Sequence, residues 1–148
     1  MKSKRFVKLG MFVFLFVLPL FASAQEKTLS FMCQEIRAQN MVPQAMNNHA
    51  TYVEFYDGGK RIKLLDGTTW VYEGKNMYGV TSYRYAGTTG PQMPNTQYQV
   101  LTFNSNFSMM QIGYVFGMMG MYTQMMSVWH FIGEGTEPAI KWMNGEFN

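Results

Sequence analysis

The chain has 148 residues and carries 12 Lys and Arg against nine Asp and Glu, a formal net charge of +3. Four of the basic residues precede residue 9, so the chain from residue 25 carries eight basic and nine acidic residues, a formal balance of −1 (8 − 9). That balance argues against nucleic acid as a partner, which needs a cluster of cations. A single cysteine excludes an intrachain disulfide.

Residues 1–24 have the composition of a secretory signal peptide. A basic start is followed by an apolar run of ten residues from Leu9 to Leu18, and the small-residue sequence ASA precedes Gln25. The run is shorter than the roughly 20 residues that a membrane-spanning helix needs. We expect cleavage after Ala24 and an exported mature protein, periplasmic or secreted, without a transmembrane helix.

The stretch 28–39 fits two patterns. Leu29, Met32, Cys33 and Ile36 fall on one helical stripe, whereas Leu29, Phe31 and Cys33 alternate as in a strand. We favour a first strand, because the rest of the mature chain has the composition of β-structure, and a helix stays open. Residues 38–49 are expected to form a loop with room for one helical turn.

The following segment, up to residue 135, is predicted to be all-β. Its hairpin turns are DGG at 57–59, DG at 66–67, EGKN at 73–76, NSN at 104–106, GMMG at 117–120 and GEG at 133–135. Runs rich in Val, Ile, Thr, Tyr, Phe and Trp lie between them. About eight strands result, in an antiparallel up-and-down meander that is either barrel-like (calycin-like) or a two-layer sandwich.

Domain limits follow from this pattern: a signal peptide at 1–24, a single β domain at 25–135 and a loosely attached C-terminal tail at 136–148. Several strands carry apolar groups on both faces, as in MMSVWHFI at 125–132. The second face must therefore be covered, by a ligand, a partner chain or the N-terminal segment.

The basic run KRIK at 60–63 alternates around Ile62 beside a turn, which predicts a solvated strand face.

The leader ending in ASAQ, the segment WVYEGKNMYGVTSYRYAG and the segment QYQVLTFNSNFSMMQIGYVFGMMGMYTQMMSVW together resemble small secreted β-meander proteins of unknown function from Bacteroidota. In those proteins a Tyr-rich strand leads into an LTF-S-D-S-M type of hairpin near the end. The resemblance covers roughly residues 50–132 and implies a compact β domain outside the cytoplasm. That family has no assigned catalytic residues to carry over.

Catalytic residues are not predicted. His49 and His130 are far apart in sequence, and Asp57 and Asp66 both precede Gly in turns, where their side chains bond local backbone. No G-x-S-x-G, H-E-x-x-H or C-x-x-C motif occurs. A hydrolase with an unrecognised site would require one of the histidines to meet a carboxylate in a pocket, and it is kept as the second alternative function.

No cofactor is predicted either. One cysteine and two isolated histidines are a poor set of zinc ligands. Cys33 is expected to be a buried small hydrophobic residue, which is how most free cysteines behave.

Methionine is unusually dense at 109–126, which holds seven of the fifteen methionines. Thioether sulfur suits Cu(I) or Ag(I), so soft-metal binding is the first alternative function. Strand alternation sends adjacent methionines to opposite faces, however, and packing is the commoner use of this residue.

The Gly-flanked turn of this segment is the predicted binding site. Met118, Met119, Met121 and Tyr122 form an apolar loop tip that could contact a small apolar ligand, a peptide or an envelope component. An equally open alternative is that these side chains fold back over the end of a barrel. The predicted function is therefore that of an exported, non-catalytic binding or envelope-associated domain, with the oligomeric state undetermined.

Overall fold

The computed structural model describes residues 25–146, so the predicted leader at 1–24 lies outside the described residues. In the described part the strands are β1 Lys27–Ala38, β2 Gln44–Ala45, β3 Ala50–Tyr56, β4 Arg61–Leu64, β5 Thr68–Lys75, β6 Thr81–Thr88, β7 Thr96–Phe103, β8 Met109–Met118 and β9 Met121–Glu134, and the helix is α1 Glu137–Met143. A 3-10 turn at Asp57–Gly59 joins β3 to β4. No helix within this part of the chain is long and apolar enough to cross a membrane.

The strands form a closed antiparallel meander. Each strand from β3 to β8 pairs with the next one along the chain, and β1 pairs with both β3 and β9. Eight strands therefore close into a barrel, and the two-residue strand β2 pairs with the second half of β1. The all-β prediction is confirmed, the barrel is the observed form of the meander, and the ambiguous stretch 28–39 is a strand.

Apolar side chains from alternating strand positions fill the barrel. Those that are almost entirely buried are Phe31, Val53, Phe55, Ile62, Trp70, Leu101, Phe103 and Met110. The Phe103 ring lies among four others, with centroid distances of 5.8 Å to Phe31, 5.7 Å to Phe55, 5.8 Å to Tyr83 and 5.0 Å to Phe107. An eight-stranded barrel is just wide enough for side chains to fill its centre.

The C-terminal segment differs from the loosely attached tail that the sequence predicts. Helix α1 packs on the outside of β1, β3 and β9, and Ala139 is fully buried there. The Ser30 hydroxyl donates to the Gly135 carbonyl at 2.6 Å and accepts from the Ala139 amide at 3.1 Å. Part of the second apolar face is thus covered by the chain's own C-terminal helix. The covers expected from the sequence were a ligand, a partner chain or the N-terminal segment.

Gly133 allows this close approach. Its φ of 156° lies in a region that favours glycine, and a Cβ added there would lie 2.7 Å from Cγ of Pro138. The indole of Trp142 donates to the Asn47 carbonyl at 2.6 Å and ties the helix to the loop before β3.

Candidate functional site

The four predicted site residues lie together at the β8–β9 hairpin. Met118 pairs with Met121 across the two strands, and Met119 and Gly120 form the turn with φ angles of 53° and 77°. Met119 is 97% exposed, and Met118, Met121 and Tyr122 are exposed as well. This exposure differs from the arrangement in which the side chains fold back over the end of the barrel.

We name this group the methionine tip: Met118, Met119, Met121 and Tyr122. Its surface is formed by thioethers and one phenol ring. Chemically the tip can make adaptable apolar contacts or offer soft sulfur ligands. Among residues 25–146 no group of three or more His, Cys, Asp or Glu side chains is arranged to hold a metal ion.

A recess opens at the end of the barrel opposite to the methionine tip. Its volume is about 550 Å³, within the range of pockets that hold small organic ligands. Phe55, Tyr72, Tyr83 and Phe107 form its aromatic walls. Tyr72 and Tyr83 are cross-strand neighbours whose rings meet edge to face at 5.9 Å.

Three lysines and one glutamate stand at this recess: Lys27, Lys60, Lys75 and Glu26. We name the recess and these residues the lysine mouth. The Lys27 ammonium lies 4.6 Å from the ring centroid of Phe55 and 4.9 Å from that of Phe107, within the range of cation–π contacts. The Glu26 carboxylate accepts a hydrogen bond of 2.8 Å from the backbone N–H of Gly58.

The backbone of the mouth is strained at Phe107. Its φ is 57°, in the left-handed region, which is rare for a bulky residue. Asn104 holds the turn in place: its carbonyl accepts from the Phe107 N–H at 3.1 Å, and its side chain accepts from the Met109 N–H at 3.0 Å and donates to the Ser108 hydroxyl at 2.7 Å. The strained turn directs the Phe107 ring toward Phe55 and Phe103.

Tyr83 forms the floor of the mouth as a neutral hydrogen-bond donor. Its hydroxyl donates to the Gly59 carbonyl at 2.7 Å. Burial raises the pKa of Tyr83 to about 12, and the neighbouring Tyr72 adds to the rise. The phenol therefore carries no charge at neutral pH.

The remaining reactive groups lie outside both regions. Cys33 is buried in the barrel wall, as predicted, and burial raises the pKa of its thiol to about 11. A raised pKa keeps the thiol protonated and unreactive. His130 forms a hydrogen bond through Nε2 with the side-chain oxygen of Gln34. His49 is exposed, and its carbonyl accepts from the Cys33 N–H at 2.8 Å.

Comparison with known proteins adds no relative: no family model, curated protein or solved structure matches this chain. The assignment of a site therefore depends on the geometry of the two ends of the barrel.

The lysine mouth is not among the sites predicted from the sequence. Ile62 is buried and Arg61 is exposed, as the alternation in KRIK predicts, but Lys60, just before β4, lines the mouth. The missed signal is topological. In a meander every second turn lies at the same end, so the turns at 57–59, 73–76 and 104–106 had to meet.

Proposed function

We propose that this protein is an exported, non-catalytic binding domain that holds a small organic ligand in the lysine mouth. Export is supported by the composition of residues 1–24. Binding at the mouth is supported by the recess of about 550 Å³ and its aromatic walls, which offer apolar contact area to a ligand.

The observation that carries the proposal is the left-handed conformation of Phe107. Such strain persists only where the surrounding structure fixes it, and it is concentrated at functional sites. Of the five non-glycine residues with positive φ among residues 25–146, Asn40, Asp57 and Asn95 belong to types that tolerate it, whereas Phe107 and Met119 do not. The strained turn places the Phe107 ring against Phe55 and Phe103 and at the same time at the recess, so it builds one of the aromatic walls that a ligand would contact.

The test is a titration with the neutral fluorescent probe N-phenyl-1-naphthylamine, followed by its emission increase. We expect saturable binding to the mature protein, weakened about five- to tenfold by Phe107→Ala because one aromatic wall is lost. Tyr72→Ala, which leaves the strained turn intact, should weaken binding to a similar degree. Tyr78→Ala is the matched control, because Tyr78 is an exposed aromatic residue of the β5–β6 turn and does not line the recess.

Absence of saturable binding to the wild-type protein would contradict the proposal. Equal binding by Phe107→Ala, Tyr72→Ala and the control variant would contradict it as well, because the probe would then occupy another surface. Thermal melts of each variant identify any loss of binding that arises from unfolding.

A second candidate function, association with the neutral surface of a lipid bilayer in the cell envelope, is favoured by the methionine tip. No Asp, Glu, Lys or Arg occurs from residue 85 to residue 133, the segment that includes β7, β8, most of β9 and the tip. Charged groups are the ones that resist entry into lipid. Met119 is both the most exposed apolar residue of the tip and one of the two strained positions.

Sedimentation with phosphatidylcholine vesicles tests this second function. We expect the wild-type protein to pellet with the vesicles and the triple variant Met118→Gln, Met119→Gln, Met121→Gln to remain in the supernatant. Met77→Gln is the control, because Met77 is 88% exposed at the opposite end of the barrel. Equal pelleting of the triple variant would exclude the tip as the contact.

One variant of the methionine tip distinguishes lipid contact from soft-metal binding. A triple Met→Leu variant at residues 118, 119 and 121 keeps the apolar surface and removes the sulfur. Lipid contact predicts that this variant still pellets with vesicles, whereas soft-metal binding predicts a Cu(I) adduct in the native mass spectrum of the wild-type protein that the variant loses.

A further inference from the structure

The charges of the lysine mouth are unbalanced. Three ammonium groups and one carboxylate line the recess, a formal excess of +2 (3 − 1), although the chain from residue 25 carries −1. None of the three ammonium groups forms an ion pair with a carboxylate of residues 25–146. Arg37, Arg61 and Lys141, which lie elsewhere, each have an acidic partner: Glu35, Asp57 and Glu137.

The glutamate of the mouth does not neutralise this excess. The Glu26 carboxylate is bonded to the Gly58 amide and so is directed to the turn before β4. Lys27 lies over the faces of Phe55 and Phe107, so its charge is fixed at the aromatic wall. Like charges gathered around one recess repel one another, and an anion placed between them removes that repulsion.

Resting on the proposed binding function, we propose that the ligand of the lysine mouth is an organic anion with an apolar body. The apolar body lies against Tyr72 and Phe107, the two aromatic residues of the recess that are not almost entirely buried, and the anionic head faces Lys27, Lys60 and Lys75. The neutral phenol of Tyr83 adds a polar group without adding negative charge. A cationic ligand would meet the same excess charge and be rejected, which makes the mouth selective for charge as well as for shape.

The experiment uses two probes with the same aromatic body. N-phenyl-1-naphthylamine is neutral, and 8-anilinonaphthalene-1-sulfonate is its sulfonated counterpart. We expect the sulfonate to bind the mature protein at least about fivefold more tightly, because up to three exposed charge pairs form. Raising NaCl to about 0.5 M should remove most of that difference by screening and leave the affinity of the neutral probe unchanged.

Variants of the three lysines test which ammonium groups contribute to binding of the sulfonated probe. We expect the affinity for the sulfonated probe to fall about two- to fivefold in each of the variants Lys27→Gln, Lys60→Gln and Lys75→Gln. The affinity for the neutral probe should stay unchanged. Lys63→Gln is the matched control, because Lys63 lies within β4 and does not line the recess. Thermal melts of the four variants identify any loss of binding that arises from unfolding.

Competition defines the ligand class. Decanoate should displace the bound sulfonate, 1-decanol should displace it less well, and inorganic phosphate should not displace it. Displacement by phosphate at the same concentration would overturn the assignment of an apolar body.

Equal affinity of the two probes, or lysine variants that match the control, would overturn the anionic head while leaving the proposed function intact. Failure of both probes to bind would overturn the proposed function together with this inference.

Discussion

At the scale of single residues, Ser30 shows how one polar side chain fixes the C-terminal helix. It is fully buried on the outer face of β1, and its hydroxyl serves as donor to Gly135 and acceptor from Ala139. We expect Ser30→Ala to lower the free energy of unfolding by about 1–3 kcal/mol, because two backbone groups lose their partner in a buried site. Urea unfolding measures this, with the exposed Ser105→Ala as the control. A loss equal to that of the control would mean that α1 is held without Ser30.

At the scale of elements, the β8–β9 hairpin has a two-residue turn of a kind that is common in hairpins. The first residue of that turn, however, is of a type that rarely adopts the left-handed conformation the turn requires. Two-residue turns with positive φ at both positions favour Asn-Gly, but this turn is Met119–Gly120. We expect Met119→Asn to raise the free energy of unfolding by about 0.5–1 kcal/mol, because Asn tolerates the left-handed conformation better. The same variant should bind vesicles more weakly, an exchange of function for stability.

Urea midpoints and vesicle sedimentation measure the two effects, and Met77→Asn is the control, since Met77 has no positive φ. A destabilised Met119→Asn protein would show that the methionine contributes to packing at the hairpin.

Strands and turns could be predicted from the sequence because both signals are local. The DG and NSN turns and the burial of Cys33 each follow from a few adjacent residues, whereas the first strand is favoured over a helix only by the composition of the rest of the chain. Helix α1 could not be predicted in the same way, because its seven residues are too few for a clear apolar period. Its position depends on Ser30, more than 100 residues away along the chain. Packing contacts over that distance leave no local pattern.

At the scale of the whole molecule, the barrel has two chemically distinct ends, and only one was predicted from the sequence. The methionine tip is a single hairpin, so its residues are adjacent in sequence. The lysine mouth combines the start of β1, the end of β5 and the turns before β4 and β8. Those segments meet only after the meander closes, and closure is a property of the complete set of strands.

The stability of the whole barrel should fall in alkali. Burial raises the pKa of Cys33 to about 11 and the pKa values of Tyr83 and Tyr98 to about 12 each, from ordinary values of 9.0 and 10.0. For Tyr98 the nearby Asp66 adds to the rise. Each group keeps its proton longer in the folded state than in the unfolded state, so the unfolded chain loses protons first as the pH rises. This contribution to stability is complete below about pH 9 and is lost progressively up to about pH 12.

Urea midpoints across that pH range, followed with phenolate absorbance, measure the effect. Tyr98→Phe removes one of the buried phenols and should flatten the decline, whereas Tyr78→Phe, at an exposed turn, should leave it unchanged. Ionisation of the buried tyrosines should coincide with loss of the β-sheet circular dichroism, because burial disfavours the phenolate in the folded state relative to the unfolded state. A urea midpoint that stays constant from neutral pH to about pH 11 would mean that water reaches these phenols in the folded protein, and that the barrel is more open at its ends than its packing indicates.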